Sequence, residues 1–304
     1  RFVWSLAVGR GASLWVGTDR GVARLSPGPV DQPPRVERQP LAHWPVTEAV
    51  EVVLPVKRGV WVGGSRGVWA LGKPHRSVHN LTVAGPQQTR VLVEGGGYTW
   101  AIGQRVVRMD RRGRLAALSL RERVLSAAWS RESLWLGTGE GIQRLDPVQM
   151  TVEPWVKLDG VTRLVPTERG FWALAEGTPV LVIGRISRPS MMQRVVHDLA
   201  QVGDGVCLAT DGGLVVLFPD GDQLDPLGEG GSGLHVSAVS ASDDGGCWYA
   251  SSTGRVGRIS AADAHVKRQL PLTEGTEVRR IVADGDWAWV VTQRGTWRVW
   301  LPAP

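Results

Sequence analysis

Cysteine, lysine and every aromatic except one are scarce in this 304-residue chain. Two cysteines, Cys207 and Cys247, cannot build a disulfide scaffold or a four-cysteine zinc site. No apolar run approaches the roughly 18 residues of a membrane-spanning helix, and no signal peptide is visible. Lysine occurs four times (Lys57, Lys73, Lys157 and Lys267), so the formal charge of +6 rests on arginine. Those arginines are scattered. The densest stretch, Arg105 to Arg114, is broken by Val106, Val107, Met109 and Asp110. A nucleic-acid partner would want a continuous basic stripe and is not expected. The chain opens at Arg1 without a Met, which leaves an upstream segment open.

Apolar residues make up 42% of the chain and charged residues 21%, enough for a large core and against wholesale disorder. The 39 Gly and 19 Pro point to many turns. Tryptophan stands out, with 15 copies against 3 Phe and 2 Tyr.

The tryptophans mark a repeat. Residues 14–25 read LWVGTDRGVARL and residues 134–145 read LWLGTGEGIQRL, the same unit at a distance of 120 positions. Weaker copies begin at Val60, Thr99, Phe171, Val206, Cys247 and Ala288. The second residues of the eight copies are Trp15, Trp61, Trp100, Trp135, Trp172, Cys207, Trp248 and Trp289, spaced by 35 to 46 positions. An apolar alternating stretch precedes each Trp, as in Val3 to Val8, Val50 to Val56 and Val278 to Val282. A Gly- or Asp-rich turn separates it from the Trp strand. A second Gly turn and a third strand follow, then a more polar fourth stretch such as Arg35 to Trp44 or Val152 to Trp155. Asp-Gly and Gly-Gly provide the positive φ of tight hairpins, and period-2 alternation between such turns reads as antiparallel strand.

Each unit is thus a four-stranded meander of about 38 residues that cannot bury both faces alone. Stacking copies around an axis solves this, with the indole rings filling the space between sheets. The expectation is an all-β chain folded as a single β-propeller domain over residues 1–304. Eight blades are predicted, seven with one extra unit being the alternative. Only Leu301, Pro302, Ala303 and Pro304 follow the last third strand, so the last blade is expected either to have three strands or to be completed by chain beyond these residues.

Leu14 to Leu25 and Leu134 to Asp146 resemble the two-component regulator propeller repeat, and the other units match its hydrophobic pattern and turn Gly. The resemblance covers nearly the whole chain. It implies a propeller of the kind found in extracytoplasmic ligand-sensing regions of bacterial signalling proteins, and it names no ligand. Cys247 to Ile259 also resembles the repeats of streptogramin-type lyases, a propeller enzyme family, although no histidine–glutamate motif matches that family residue by residue.

Several motifs reduce to the repeat. Gly63-Gly64-Ser65-Arg66-Gly67 matches a nucleophile elbow but occupies the hairpin slot of Gly17 to Gly21, with no helix to follow. Gly67 to Lys73 lacks the hydroxyl residue of a phosphate loop, Pro74 standing in its place. Gly228 to Gly233 runs into a strand instead of a helix N-terminus. Asp220, Asp222, Asp225 and Glu229 lack the spacing of a calcium loop and read as an acidic solvated turn. Arg24, Arg108, Arg144, Arg258 and Arg298 share one slot of the third strand. They read as snorkelling side chains covering a Trp, the alternative being an anion-binding ladder. Cys207 and Cys247 lie in adjacent slots of equivalent strands and are expected to be buried free thiols, because neighbouring blades usually lie beyond the roughly 7 Å that a disulfide tolerates.

His75 and His79 sit in a connection, expected to be exposed. His197 and His235 lie near the start of the first strands of units 6 and 7, beside the loops where propellers bind ligands, and two such rings could act as base and acid. The sequence shows no third partner. The leading reading is a non-catalytic binding module, a sensor or protein-interaction scaffold, without cofactor or metal. A propeller lyase and a structural subunit are the alternatives. The face of second-to-third-strand turns and blade connections is the predicted site for a protein or small ligand. It carries Arg20, Arg66, Glu140, Glu176, Asp211 and Arg294, with His43, Trp44, Arg123, Asp159, His197 and His235 nearer the axis.

Overall fold

The structure is a computed structural model that describes residues 3–28, 35–39, 49–57, 59–65, 67–72, 88–112, 114–192, 194–227, 234–260, 266–272, 277–293 and 295–301. Among these residues, thirty strands form eight antiparallel sheets and no α-helix occurs. The chain divides into two compact units, Arg1–Thr162 and Arg163–Pro304.

The first unit holds four sheets. Sheet 1 is β1 (Val3–Val8), β2 (Leu14–Thr18), β3 (Gly21–Ser26) and β4 (Arg35–Gln39); sheet 2 is β5 (Val50–Val56), β6 (Gly59–Gly64) and β7 (Gly67–Gly72). Sheet 3 is β8 (Thr89–Gly95), β9 (Tyr98–Gly103), β10 (Arg105–Asp110) and β11 (Leu115–Ser119); sheet 4 is β12 (Val124–Ser130), β13 (Ser133–Thr138), β14 (Gly141–Asp146) and β15 (Thr151–Lys157). The second unit holds the rest. Sheet 5 is β16 (Val161–Pro166), whose first two residues belong to the first unit, with β17 (Phe171–Ala175), β18 (Thr178–Ile183) and β19 (Ile186–Pro189). Sheet 6 is β20 (Val196–Val202), β21 (Gly205–Thr210), β22 (Gly213–Leu217) and β23 (Gln223–Leu224); sheet 7 is β24 (Val236–Ala241), β25 (Cys247–Ser251), β26 (Arg255–Ile259) and β27 (Val266–Pro271). Sheet 8 is β28 (Val278–Asp284), β29 (Trp287–Thr292) and β30 (Thr296–Trp300). Every sheet is a simple meander, and the last has three described strands, as expected.

The repeated Gly-Thr-x-x-Gly has a separate reason for each fixed residue. At Gly17 a Cβ would lie 2.6 Å from the Val50 carbonyl oxygen, so only glycine lets β5 approach β2. The following Thr pins the hairpin. Thr138 donates its hydroxyl to the Gly141 carbonyl at 3.0 Å and accepts from the amides of Glu140 and Gly141, both at 3.2 Å. Thr18, Thr210 and Thr292 make the same donation to Gly21, Gly213 and Gly295. The second glycine opens the third strand at positive φ, as Gly141 does at 149°, a conformation closed to L side chains. The Gly63 to Gly67 match to a nucleophile elbow is this same hairpin, between β6 and β7.

The Trp slot fills the space between successive sheets within each unit. Trp61 packs with Leu92, Ala101 and Val107 of sheet 3; Trp100 packs with Leu134 and Leu136 of sheet 4. Trp172 meets Leu199 and Leu208 of sheet 6, and Trp248 meets Ile281 and Val290 of sheet 8. Burying such a ring contributes on the order of 3 kcal/mol of transfer free energy. The arginines of the third strand sit opposite the Trp in register, as in Trp135↔Arg144 and Trp289↔Arg298. Arg24 and Arg258 lie 5.7 Å from the ring centroids of Trp15 and Trp248. This is the covering role, with cation–π attraction added, but Arg258 does not snorkel: its guanidinium is buried because Asp244, Asp286, Ser242 and the Leu301 carbonyl take its hydrogen bonds in place of water.

The cysteines correct an expectation. Cys207 and Cys247 are joined as a disulfide, with Cα atoms 6.6 Å apart, and are not free thiols. Sheet 6 carries Cys207 where the other units carry Trp. Without an indole there, Cys207 and Cys247 enter one buried cluster together with Tyr249, and the sheets meet within bonding distance.

Candidate functional site

Seven of the eight first strands carry a common irregularity at their start. In β1, β5, β8, β12, β20, β24 and β28 the pairing with the second strand skips one residue after the first partner. In β20 Val196 pairs with Thr210 and Asp198 with Ala209, so His197 is the bulged residue. A bulge releases its side chain from the alternation of the strand and re-aims it. His235 lies one residue before Val236, the first residue of β24. Its carbonyl accepts the Ser252 amide of the β25–β26 turn at 2.9 Å. The Val195 carbonyl likewise accepts from Asp211 of the β21–β22 turn at 3.3 Å. The second-to-third-strand turns and the starts of the first strands therefore lie at the same end of their sheets.

At that end the structure brings His197 and His235 together. Their Nε2 atoms are 3.0 Å apart and the rings meet edge to face, with centroids 4.8 Å apart at 87°. One ring donates and the other accepts. Among the described residues no carboxylate hydrogen-bonds to either ring.

Next to the pair in sequence is a group not foreseen from the sequence. Arg163, Asp198 and Arg280 each occupy the third position of a first strand, in β16, β20 and β28. Asp198 Oδ1 faces Arg163 Nη2 at 3.3 Å and accepts the Leu199 amide at 3.0 Å; Oδ2 accepts the Val239 amide at 3.5 Å. Burial pushes the Asp198 carboxyl above the usual range, against the pull of Arg163 and of the two amides. Burial and the nearby Arg163 charge lower Arg280, with Asp198 opposing. The signal that could have revealed this group is opposite charge in one slot of several first strands. Side chains also tie β24 to β28: Ser237 donates to the Val278 carbonyl at 2.7 Å, and Ser240 accepts the Ala283 amide at 3.0 Å.

The other predicted residues are placed individually. Arg20 and Glu140 lie exposed on hairpin turns of the first unit, and Arg123 and Asp159 lie exposed just before β12 and β16. In the second unit Glu176 and Asp211 are exposed on hairpin turns. His43, Trp44, Arg66 and Arg294 lie outside the described residues, as do His75, His79, Glu229 and Gly228 to Gly233. Asp220 and Asp225 cap their own turns, accepting the amides of Asp222 and Leu227. Among the described residues no three or more His, Cys, Asp or Glu form a metal-binding group. Two shallow depressions of about 540 and 510 Å³ lie elsewhere in the first unit and hold none of the predicted residues.

No family model and no curated protein matches the chain. Solved structures do. The C-terminal WD40 domain of Sif2 is 12% identical over 99% of this chain and 97% of its own, with a TM-score of 0.72. Virginiamycin B lyase from Staphylococcus aureus is 13% identical over 97% of this chain and 92% of its own, with a TM-score of 0.57. That lyase is also known as a catalytically inactive histidine-to-alanine variant with quinupristin. The extracellular domain of BT4673 from B. thetaiotaomicron is 13% identical over 97% of this chain and 50% of its own, with a TM-score of 0.55. The fold is a β-propeller. At these identities the likeness extends to fold alone, and the propellers concerned include WD40 domains, a lyase and the extracellular part of a signalling protein. The eight sheets are consistent with eight blades, and no described helix is long and apolar enough to cross a membrane.

Proposed function

We propose that this single propeller domain is a non-catalytic binding module, which presents the first-strand ends of its second unit to a small ligand or protein. The carrying observation is the His197–His235 pair, 3.0 Å apart and accessible, beside Arg163, Asp198 and Arg280 on strands bound to each other through Asp198, Ser237 and Ser240. Rigid strands holding convergent polar groups suit recognition. A general base oriented by a carboxylate, the usual mark of histidine catalysis, is missing among the described residues.

The family resemblance and the BT4673 neighbour support a sensor of the two-component regulator propeller kind. The Cys207–Cys247 disulfide supports an oxidising, extracytoplasmic location, since such bonds persist there. A lyase is the second reading, favoured by the histidine pair and by the neighbouring lyase whose histidine variant is inactive.

One experiment separates them. A compound panel is screened by thermal shift on the parent and on H197A/H235A, and consumption of quinupristin is followed by chromatography. Binding hits lost in the variant, with quinupristin untouched, support the module. Quinupristin consumption that the variant abolishes would replace it with the lyase.

A further inference from the structure

We propose that His197 and His235 form a bidentate site for a divalent transition-metal ion of the copper and nickel class. The inference rests on the reading that this end of the first strands is the ligand face, and names what is bound there. The separation of the two Nε2 atoms is 3.0 Å. With metal–imidazole bonds of about 2.0–2.1 Å, that separation subtends about 94° at the metal. This is the cis angle of tetragonal, square-planar or octahedral coordination, which Cu²⁺ and Ni²⁺ adopt. A tetrahedral ion would want the nitrogens about 3.35 Å apart, so zinc requires the rings to open by a few tenths of an ångström. Mg²⁺ and Ca²⁺ prefer oxygen donors and are not served.

The bite is held by the backbone. His197 is fixed between two paired residues of β20, and the carbonyl of His235 is anchored by the Ser252 amide. Chelation requires a free lone pair on both Nε2 atoms. The ring that donates in the metal-free pair therefore moves its proton to its own Nδ1 through water, with no net proton released from two neutral rings. The chain supplies two ligands, so further positions are left for water or for donor atoms of a bound molecule.

The test is calorimetric titration of the EDTA-treated full chain with NiCl₂ and with CuCl₂, both at about pH 7.5 since metal affinity depends on pH. MgCl₂ serves as the control. The expected result is one Cu²⁺ or Ni²⁺ per chain, copper the tighter, and no response to Mg²⁺. H197Q and H235Q each weaken Ni²⁺ binding at least about tenfold, the loss that removal of an outer-shell partner alone already produces. Copper electron paramagnetic resonance of the parent, which needs no variant to fold, is expected to show coupling to two imidazole nitrogens. Absence of Ni²⁺ binding, Ni²⁺ binding by either variant as tight as the parent's, or coupling to fewer than two nitrogens overturns the site. Metal failure with variant-sensitive hits in the compound panel would sink this inference alone and leave the binding module standing.

Discussion

Arg258 shows how one side chain closes a blade. It is 4% exposed. Its Nη1 donates to Asp286 Oδ1 at 2.8 Å and to the Leu301 carbonyl at 3.2 Å, while Nη2 donates to Asp244 Oδ2 at 2.6 Å and Ser242 Oγ at 3.3 Å. A buried guanidinium needs all these partners, and loss of one member of a buried pair costs about 3–5 kcal/mol. Here Asp244 and Asp286 keep 45% and 48% of their side-chain surface in solvent, so they rehydrate when the cation goes. Arg258→Met, which keeps the stem over Trp248, is therefore expected to cost about 2–3 kcal/mol by urea unfolding; a change within about 0.5 kcal/mol would refute the clasp. Asp198 works in the opposite sense. Its carboxyl is raised by burial, so the folded state binds its proton more tightly than the unfolded chain does. That contribution is present below the ordinary value of 3.8 and is lost as pH rises from there through the raised folded value. Asp198→Asn removes the dependence. Urea midpoints of variant and parent are expected to lie close near pH 3.8 and to separate in the variant's favour as pH rises. A constant gap would show that burial leaves the carboxyl unshifted, and a gap that moves in the parent's favour would show that the carboxylate is stabilised where it lies.

At the scale of elements, the disulfide and the histidine pair show what pattern reading reaches and where it stops. Strands, hairpins and the Trp wedges were legible because each is written locally and many times over, the Trp in seven of eight slots. The Thr of the hairpin, the positive-φ Gly and the close-approach Gly recur at fixed offsets, and any one copy explains the others. Contacts between neighbouring sheets were not legible, because they depend on the spacing and stagger of the sheets. Cys207 stands in a Trp slot, and the argument from usual blade spacing failed because that spacing assumes the indole. His197 is the second residue of its strand, whereas His235 precedes its strand; only the stagger between β20 and β24 places them side by side. Arg163, Asp198 and Arg280 belong to one slot but in units separated along the chain. The cross-link between β21 and β25 encloses 40 residues of sequence separation, for which chain entropy gives at most about 4 kcal/mol. A Cys207→Ala/Cys247→Ala variant is expected to lose about 2–4 kcal/mol against the oxidised parent. Thiol titration of the parent in denaturant without reductant should find no free thiol. Two thiols per chain would remove the disulfide and the compartment argument built on it.

At the scale of the molecule, repetition makes a prediction that no single site makes. Thr18, Thr138, Thr210 and Thr292 pin the second hairpin of four sheets in the same way, and sheets exchange buried surface with their neighbours in the unit, so stability should be close to a sum of unit and interface terms. Thr138 and Thr210 test this, since both are almost fully buried, 1% and 0% exposed, and serve the same role in different units. Each hydroxyl donates to one carbonyl and accepts turn amides: Glu140 and Gly141 at Thr138, Gly212 at Thr210. Valine keeps the shape, deletes the donor and leaves those backbone groups to find water at a turn. Thr138→Val and Thr210→Val are each expected to cost about 1–2 kcal/mol, Thr138→Val the more because it loses two amide partners. The double variant should equal the sum of the singles within about 0.5 kcal/mol, as for sites without shared neighbours. A larger shortfall or excess would mean that the hairpins are not independent pins, and that the repeat acts as one cooperative structure whose local roles cannot be read one blade at a time.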